Sequence, residues 1–185
     1  MTQNEAEFSL TVAWKDISSS GSEIRFEVDE AVRAALAERY DILELRSLRG
    51  SAKLRPYRKA GLTLDCDFSA ELVQACVVTL EPVVQQVEDH FTRRYLPENE
   101  LLRRQAHAPA VEVNVDAEAE DEPELMENGR IDIGEAVAEE LALAMDPYPR
   151  KDGISFEPVI EDEVDDAPET KPNPFSILEK LKKNN

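Results

Sequence analysis

Four side chains in this 185-residue sequence have the chemistry to ligate a transition metal: Cys66, Cys76, His90 and His107. A structural zinc site draws on four such ligands, usually arriving in close pairs such as C-x-x-C or H-x-x-x-H. None of the four forms such a pair. Cys76 would open a C-x-x-C, but Val77 and Val78 are followed by Thr79. The sequence therefore predicts no metal site and no cofactor. A nucleophilic cysteine needs a neighbouring base or a helix N-terminus. Cys66 lies on the apolar face of an alternating run, and Cys76 within the apolar run CVVTL at 76–80. Both are expected to be buried, inert strand thiols packing as small hydrophobes. Nothing matches G-x-S-x-G, H-E-x-x-H or a phosphate-binding glycine loop. Asp65 and Asp67 share one face of a predicted strand, the one arrangement from which a metal-dependent nuclease is conceivable. A solvent-facing polar strand accounts for them far better, so no catalytic residue is assigned and the chain is expected not to be an enzyme.

The positive charge says more. RSLRGSAKLRPYRK, residues 46–59, holds Arg46, Arg49, Lys53, Arg55, Arg58 and Lys59 without a single carboxylate, together with Tyr57, whose ring can stack on a base. The whole chain carries 21 Lys and Arg against 40 Asp and Glu, a formal net charge of −19, so this run is an island. Arg93 and Arg94 are candidates to extend it. An acidic chain is repelled by nucleic acid at long range, so any RNA contact must come from a local basic patch. Arg46, Arg49, Lys53, Arg55, Tyr57, Arg58 and Lys59 are the RNA-contact candidates. The competing reading is a solvated hairpin tip whose cations balance nearby carboxylates.

These residues need a scaffold, and the first half of the chain supplies its pattern. FSLTVAW (8–14) alternates, with Phe8, Leu10, Val12 and Trp14 on one face. IRFEV (24–28) alternates again, and Asp29 is placed to cap a helix over 30–40. ILELRSL (42–48) reads as a strand, with a turn expected at Gly50-Ser51. Residues 62–72 alternate most clearly, with Leu62, Leu64, Cys66, Phe68, Ala70 and Leu72 on one side and Thr63, Asp65, Asp67, Ser69 and Glu71 on the other. The pattern breaks near Val73-Gln74, where a bulge or turn is expected. Residues 83–97 fit either a helix stripe or a long strand; their β-branched and aromatic content between two prolines favours strand.

Charge divides the chain. Residues 1–97 carry 12 Lys and Arg against 16 Asp and Glu, whereas residues 98–185 carry 9 against 24. The expected organisation is a β-rich core over 1–97 with a helix at 30–40, then an acidic, solvated connector over 98–129. A helix over 130–150 follows, packing back on the core. Asp132 caps it, Glu135 sits at capping-box spacing, and Ile133, Val137, Leu141 and Met145 form its apolar stripe. An acidic linker over 151–172 precedes a short amphipathic tail over 173–185, where Phe175, Ile177, Leu178 and Leu181 are partner-docking candidates. The fold class is α+β: a curved, largely antiparallel sheet, open or barrel-like, with two packed helices. The N-terminal MTQNEAEFSL has neither a basic nor an apolar signal segment, and no apolar run is long enough to span a bilayer. A cytoplasmic chain with reduced thiols is expected.

Three stretches, GLTLDCDFSAELVQACVVTLEPV, GRIDIGEAVAEELALAMDPYPR and NPFSILEKLK, together resemble the YceD family of bacterial and plastid proteins, named for large ribosomal RNA subunit accumulation. Many members of that family carry C-x-x-C where this chain has Cys76 to Thr79, a departure from the pattern. The resemblance implies a factor without enzymatic activity that supports accumulation or processing of large-subunit (23S) rRNA. Its implied partner is that rRNA or a pre-ribosomal particle. The alternative is an acidic adaptor or chaperone for a basic ribosomal protein, acting through the carboxylate-rich segments.

Overall fold

A computed structural model of the chain describes residues 6–107 and 122–153. Within them run β1 (Thr11–Ala13), β2 (Ser22–Glu27), α1 (Glu30–Arg39), β3 (Glu44–Tyr57), β4 (Gly61–Ala75), β5 (Pro82–Pro97), α2 (Glu98–His107), β6 (Glu124–Met126), β7 (Arg130–Asp132) and α3 (Ile133–Ala144). Five strands form one sheet in the order β2-β3-β4-β5-β6, and β1 pairs with β7 in a separate ribbon. The large sheet is antiparallel except at β6, which joins β5 in parallel. It is an open sheet with two edges, so the barrel alternative is ruled out. The α+β class and the largely antiparallel sheet are as the alternation predicts.

β4 shows why the sheet forms. Its even-numbered residues from Leu62 to Leu72 are all buried, while Asp67 on the odd face is exposed. β5 supplies Val87, Phe91 and Tyr95 to the same inner side, and β3 supplies Leu48, Ala52 and Leu54. The strand reading of 83–97 therefore holds. Leu36 of α1 and Ile133, Val137 and Leu141 of α3 join that core, so both helices cover the inner face. They also touch each other: Tyr40 Oη donates to the Ala138 carbonyl at 2.8 Å, and Arg39 forms a two-pronged ion pair with Glu135.

Both predicted caps are in place. Asp29 accepts from the Val32 N–H at 2.9 Å. Asp132 accepts from the N–H groups of Gly134 and Glu135, and also from Ser9 Oγ at 2.6 Å and the Leu10 N–H at 2.8 Å. That carboxylate thus pins the N-terminal segment to the start of α3. Gly134 permits the approach, because a Cβ there would lie 2.6 Å from the Phe8 carbonyl oxygen. The carboxylate of Glu135 is committed to Arg39, so the capping-box role expected for it is displaced by an inter-helix ion pair.

Several local expectations are overturned. No turn occurs at Gly50-Ser51; β3 runs straight through. Gly50 is required because a Cβ would sit 2.5 Å from the Asp67 carbonyl and 2.7 Å from the Phe26 ring. The irregularity expected at Val73-Gln74 lies instead across the ladder, between Leu45 and Ser47 of β3, so Arg46 bulges out. CVVTL is not a strand but the turn between β4 and β5, with Leu80 77% exposed. β1 is only three residues long; Phe8, Leu10 and Val12 pack toward the core as the alternation predicts, but the pattern breaks at its end, where Ala13 is buried and Trp14 exposed. The segment expected as a connector over 98–129 begins with α2 and ends with β6. The docking candidates Phe175, Ile177, Leu178 and Leu181 lie outside the described residues.

After α3 the chain docks on the β4–β5 turn. The Val77 N–H donates to the Pro149 carbonyl at 2.9 Å, Gln74 Nε2 to the Asp146 carbonyl at 3.0 Å, and Lys151 pairs with Glu81 at 2.9 Å. Among the described residues no helix is long and apolar enough to cross a membrane.

Candidate nucleic-acid interface

β3 carries the basic run, and its pleat decides what each cation meets. Leu48, Ala52 and Leu54 point into the core, so Arg49, Lys53 and Arg55 point to the outer face. The register sets them opposite carboxylate-bearing neighbours. Glu27 faces Arg49 and Glu23 faces Lys53 from β2, and Asp65 of β4 lies opposite Lys53 from the other side. Arg55 pairs with Asp65, which also accepts from Thr92 Oγ1 at 2.8 Å. Lys53 lies 4.0 Å from Asp67, whose other contact is His90 Nδ1 at 2.9 Å. Arg46 is held by Glu44 and Glu71, both at 3.0 Å, which raises its pKa and holds the Glu71 carboxyl below the usual range. At roughly 3.3 Å per residue, Arg46 and Tyr57 are more than about 30 Å apart. The seven candidates are therefore a stripe, and three of its cations, Arg46, Lys53 and Arg55, are matched by carboxylates.

The central part of the outer face is a broad hollow of about 860 Å³. Arg25, Arg49 and His90 line it, but so do Glu27, Asp67, Glu88 and Asp89, a mixture that does not select an anion. Asp65 and Asp67 are both taken up in this cross-strand pairing. Among the described residues no three His, Cys, Asp or Glu side chains are grouped to hold a metal. Cys66 lies under the sheet, Cys76 in the β4–β5 turn and His90 on the outer face; His107 ends α2.

Positive charge stands clear at one end of the sheet. Tyr57 pairs with Gly61, leaving Arg58, Lys59 and Ala60 as the turn between β3 and β4. Arg58 has φ +53°. Among the described residues neither Arg58 nor Lys59 is in an ion pair. The guanidinium carbon of Arg58 lies 5.3 Å from the centre of the Tyr57 ring, and that of Arg94 5.8 Å from the same ring. Thr63 stands between Arg55 and Arg94 across the three strands. β5 ends here and runs into α2, which packs on β5 and β6 and carries exposed Arg103 and Arg104.

The structure thus gathers Arg55, Tyr57, Arg58 and Lys59 with Arg94, and leaves Arg46, Arg49 and Lys53 behind. Arg93, read as a partner of Arg94, turns the other way. It sits on the inner side, stacks on Phe91, and pairs with Glu139 at 2.6 Å, Glu140 at 2.8 Å and Glu124 at 3.6 Å. Burial beside this crowd of carboxylates raises the Glu124 pKa despite Arg93. The sequence signal was present: Arg93 shares parity with buried Phe91 and Tyr95, and Arg94 does not. The helical arginines Arg103 and Arg104 were missed because their segment was assigned to a connector.

Compared with known families, residues 64–182 match the model described as "Large ribosomal RNA subunit accumulation protein YceD". No curated protein matches, and no solved structure matches.

Proposed function

The chain belongs to the YceD family of large ribosomal RNA subunit accumulation proteins, and on that premise we propose that it is a non-catalytic, cytoplasmic factor that binds precursor 23S rRNA or a pre-ribosomal particle. The contact is made by the basic tip at the β3–β4 turn. The observation that carries this reading is the pairing of Arg58 and Arg94 on the Tyr57 ring, with Lys59 next to Arg58 in the same turn, in a chain whose net charge is −19. Elsewhere on the outer face cations and carboxylates alternate, so the tip is where a polyanion gains most from approach.

In-cell crosslinking of the tagged full chain, followed by sequencing of the bound RNA, tests it. A variant neutralised at Arg55, Arg58, Lys59 and Arg94 runs alongside. Large-subunit rRNA should be enriched with the wild type and reduced to background with the variant. Equal enrichment with both would remove the tip from the proposal.

A second reading rests on the opposite charge. Glu122, Glu124, Glu139 and Glu140 border one hollow with His90, Arg93 and Arg94, a net acidic surface suited to a basic protein segment. In that case a cationic ribosomal protein, not RNA, would be the direct partner. Substituting Glu139 and Glu140 by Gln would then abolish association with the particle while the tip variant leaves it intact.

A further inference from the structure

Resting on the RNA-binding reading above, we infer that the tip grips the phosphate backbone of double-helical RNA without reading its bases. Tyr57 serves as a positioning residue, a post that holds Arg58 and Arg94, and not as a stacking platform.

The ring is already engaged. Arg58 and Arg94 each place a guanidinium within 6 Å of its centre, the range of cation–π attraction. A base stacking there would have to displace them. The two arginines come from different elements, a turn and β5, and their shared ring fixes one relative to the other. Arg58, which is in no ion pair among the described residues, then presents a planar fork of N–H donors, the geometry that matches phosphate oxygens.

Two further observations point the same way. Proteins that bind single strands lay successive bases on several exposed aromatic rings. At this end of the sheet Tyr95 and Phe91 are buried beneath it, so among the described residues Tyr57 has no aromatic neighbour to continue such a track. In addition, Arg58 occupies the left-handed region at φ +53°, where glycine would be cheaper. That backbone fixes the direction in which the Arg58 side chain leaves the turn. Double-helical RNA is recognised mainly through shape, phosphates and ribose hydroxyls, which suits a small, sequence-blind cluster of forks.

The test uses the full chain with a labelled RNA duplex of about 16 base pairs and either of its single strands. Affinity is measured from about 50 to 200 mM salt. The duplex should bind at least as well as the strand, and a second duplex of unrelated sequence should bind equally. Arg58→Gly, which suits the left-handed backbone, and Arg94→Gln should each weaken duplex binding several-fold. Each should also flatten the slope of log affinity against log salt by about one. Tyr57→Phe should behave as wild type, whereas Tyr57→Leu should copy the arginine losses, slope included. If the strand is preferred, or Tyr57→Leu weakens binding with the slope unchanged, stacking is the mechanism and the inference fails while RNA binding stands. If the wild type binds neither RNA, the RNA-binding reading itself falls, and this inference with it.

Discussion

Burial pushes the Cys66 thiol up to about 12, whereas Cys76, also covered, is drawn down to about 6. The sequence reading treated the two alike, as inert strand cysteines. Cys66 meets that description, under the sheet and opposite Phe91. Cys76 does not, because its strand has ended. The turn that follows aims the Thr79 hydroxyl and the N–H groups of Thr79 and Val78 at its sulfur, the segment after α3 adds the Lys151 N–H, and these donors replace water around a thiolate. In a Cys66→Ala background, thiolate absorbance should rise with a midpoint near pH 6, and Thr79→Val should move it upward. A midpoint in the ordinary thiol range in both proteins would mean the donors do not act on the sulfur. The sign for folding follows. A pKa depressed from 9.0 to about 6 contributes stability that is fully present above the unfolded value and is lost as pH falls through the folded one. Thr79 stands where a C-x-x-C would place its second thiol, and here its hydroxyl serves the sulfur of Cys76 instead.

At the scale of the element, the alternation of β4 and β5 was legible because period two is a direct consequence of the pleat. The same parity rule separates Arg93 from Arg94, and predicts which of the β3 cations face outward. What a single strand does not contain is its neighbour. Arg55 looks free in the sequence, since the nearest carboxylate along the chain is Asp65, ten residues away. The hairpin folds that distance into an ion pair. The pair is open to solvent on the arginine side, where such pairs contribute little to stability but do mask charge. Asp65→Asn should therefore leave the melting temperature nearly unchanged and raise RNA affinity about threefold at low salt. Loss of an RNA-cleaving activity in that variant would instead restore the nuclease reading that Asp65 and Asp67 first raised. Strand ends were harder to read. Gly50 looked like a turn and is a point of close backbone approach; CVVTL looked like a strand and is a turn. Both depend on packing partners that sequence spacing does not name.

At the scale of the molecule, charge is partitioned between the basic tip and the acidic second half of the chain. Residues 157–169 alone hold seven carboxylates. Deleting them should tighten duplex RNA binding at low salt, with the difference vanishing near 1 M, where screening shortens to about 3 Å. Unchanged RNA binding on deletion, with association to a basic ribosomal protein lost, would favour the adaptor reading, in which the acidic segments make the contact. The sequence by itself determined the α+β class, the two capped helices, the inward face of β4 and β5, and the resemblance that the family match bears out. These follow from local periodicity, from capping chemistry and from motif order, all written in consecutive residues. Only the tertiary structure decided that the sheet stays open, that α2 and β6 extend it, and that a basic run of fourteen residues contributes a cluster at one end only. The physical reason is that electrostatics acts through space. A cation's partners are set by strand register and pleat, and register joins residues far apart in the chain.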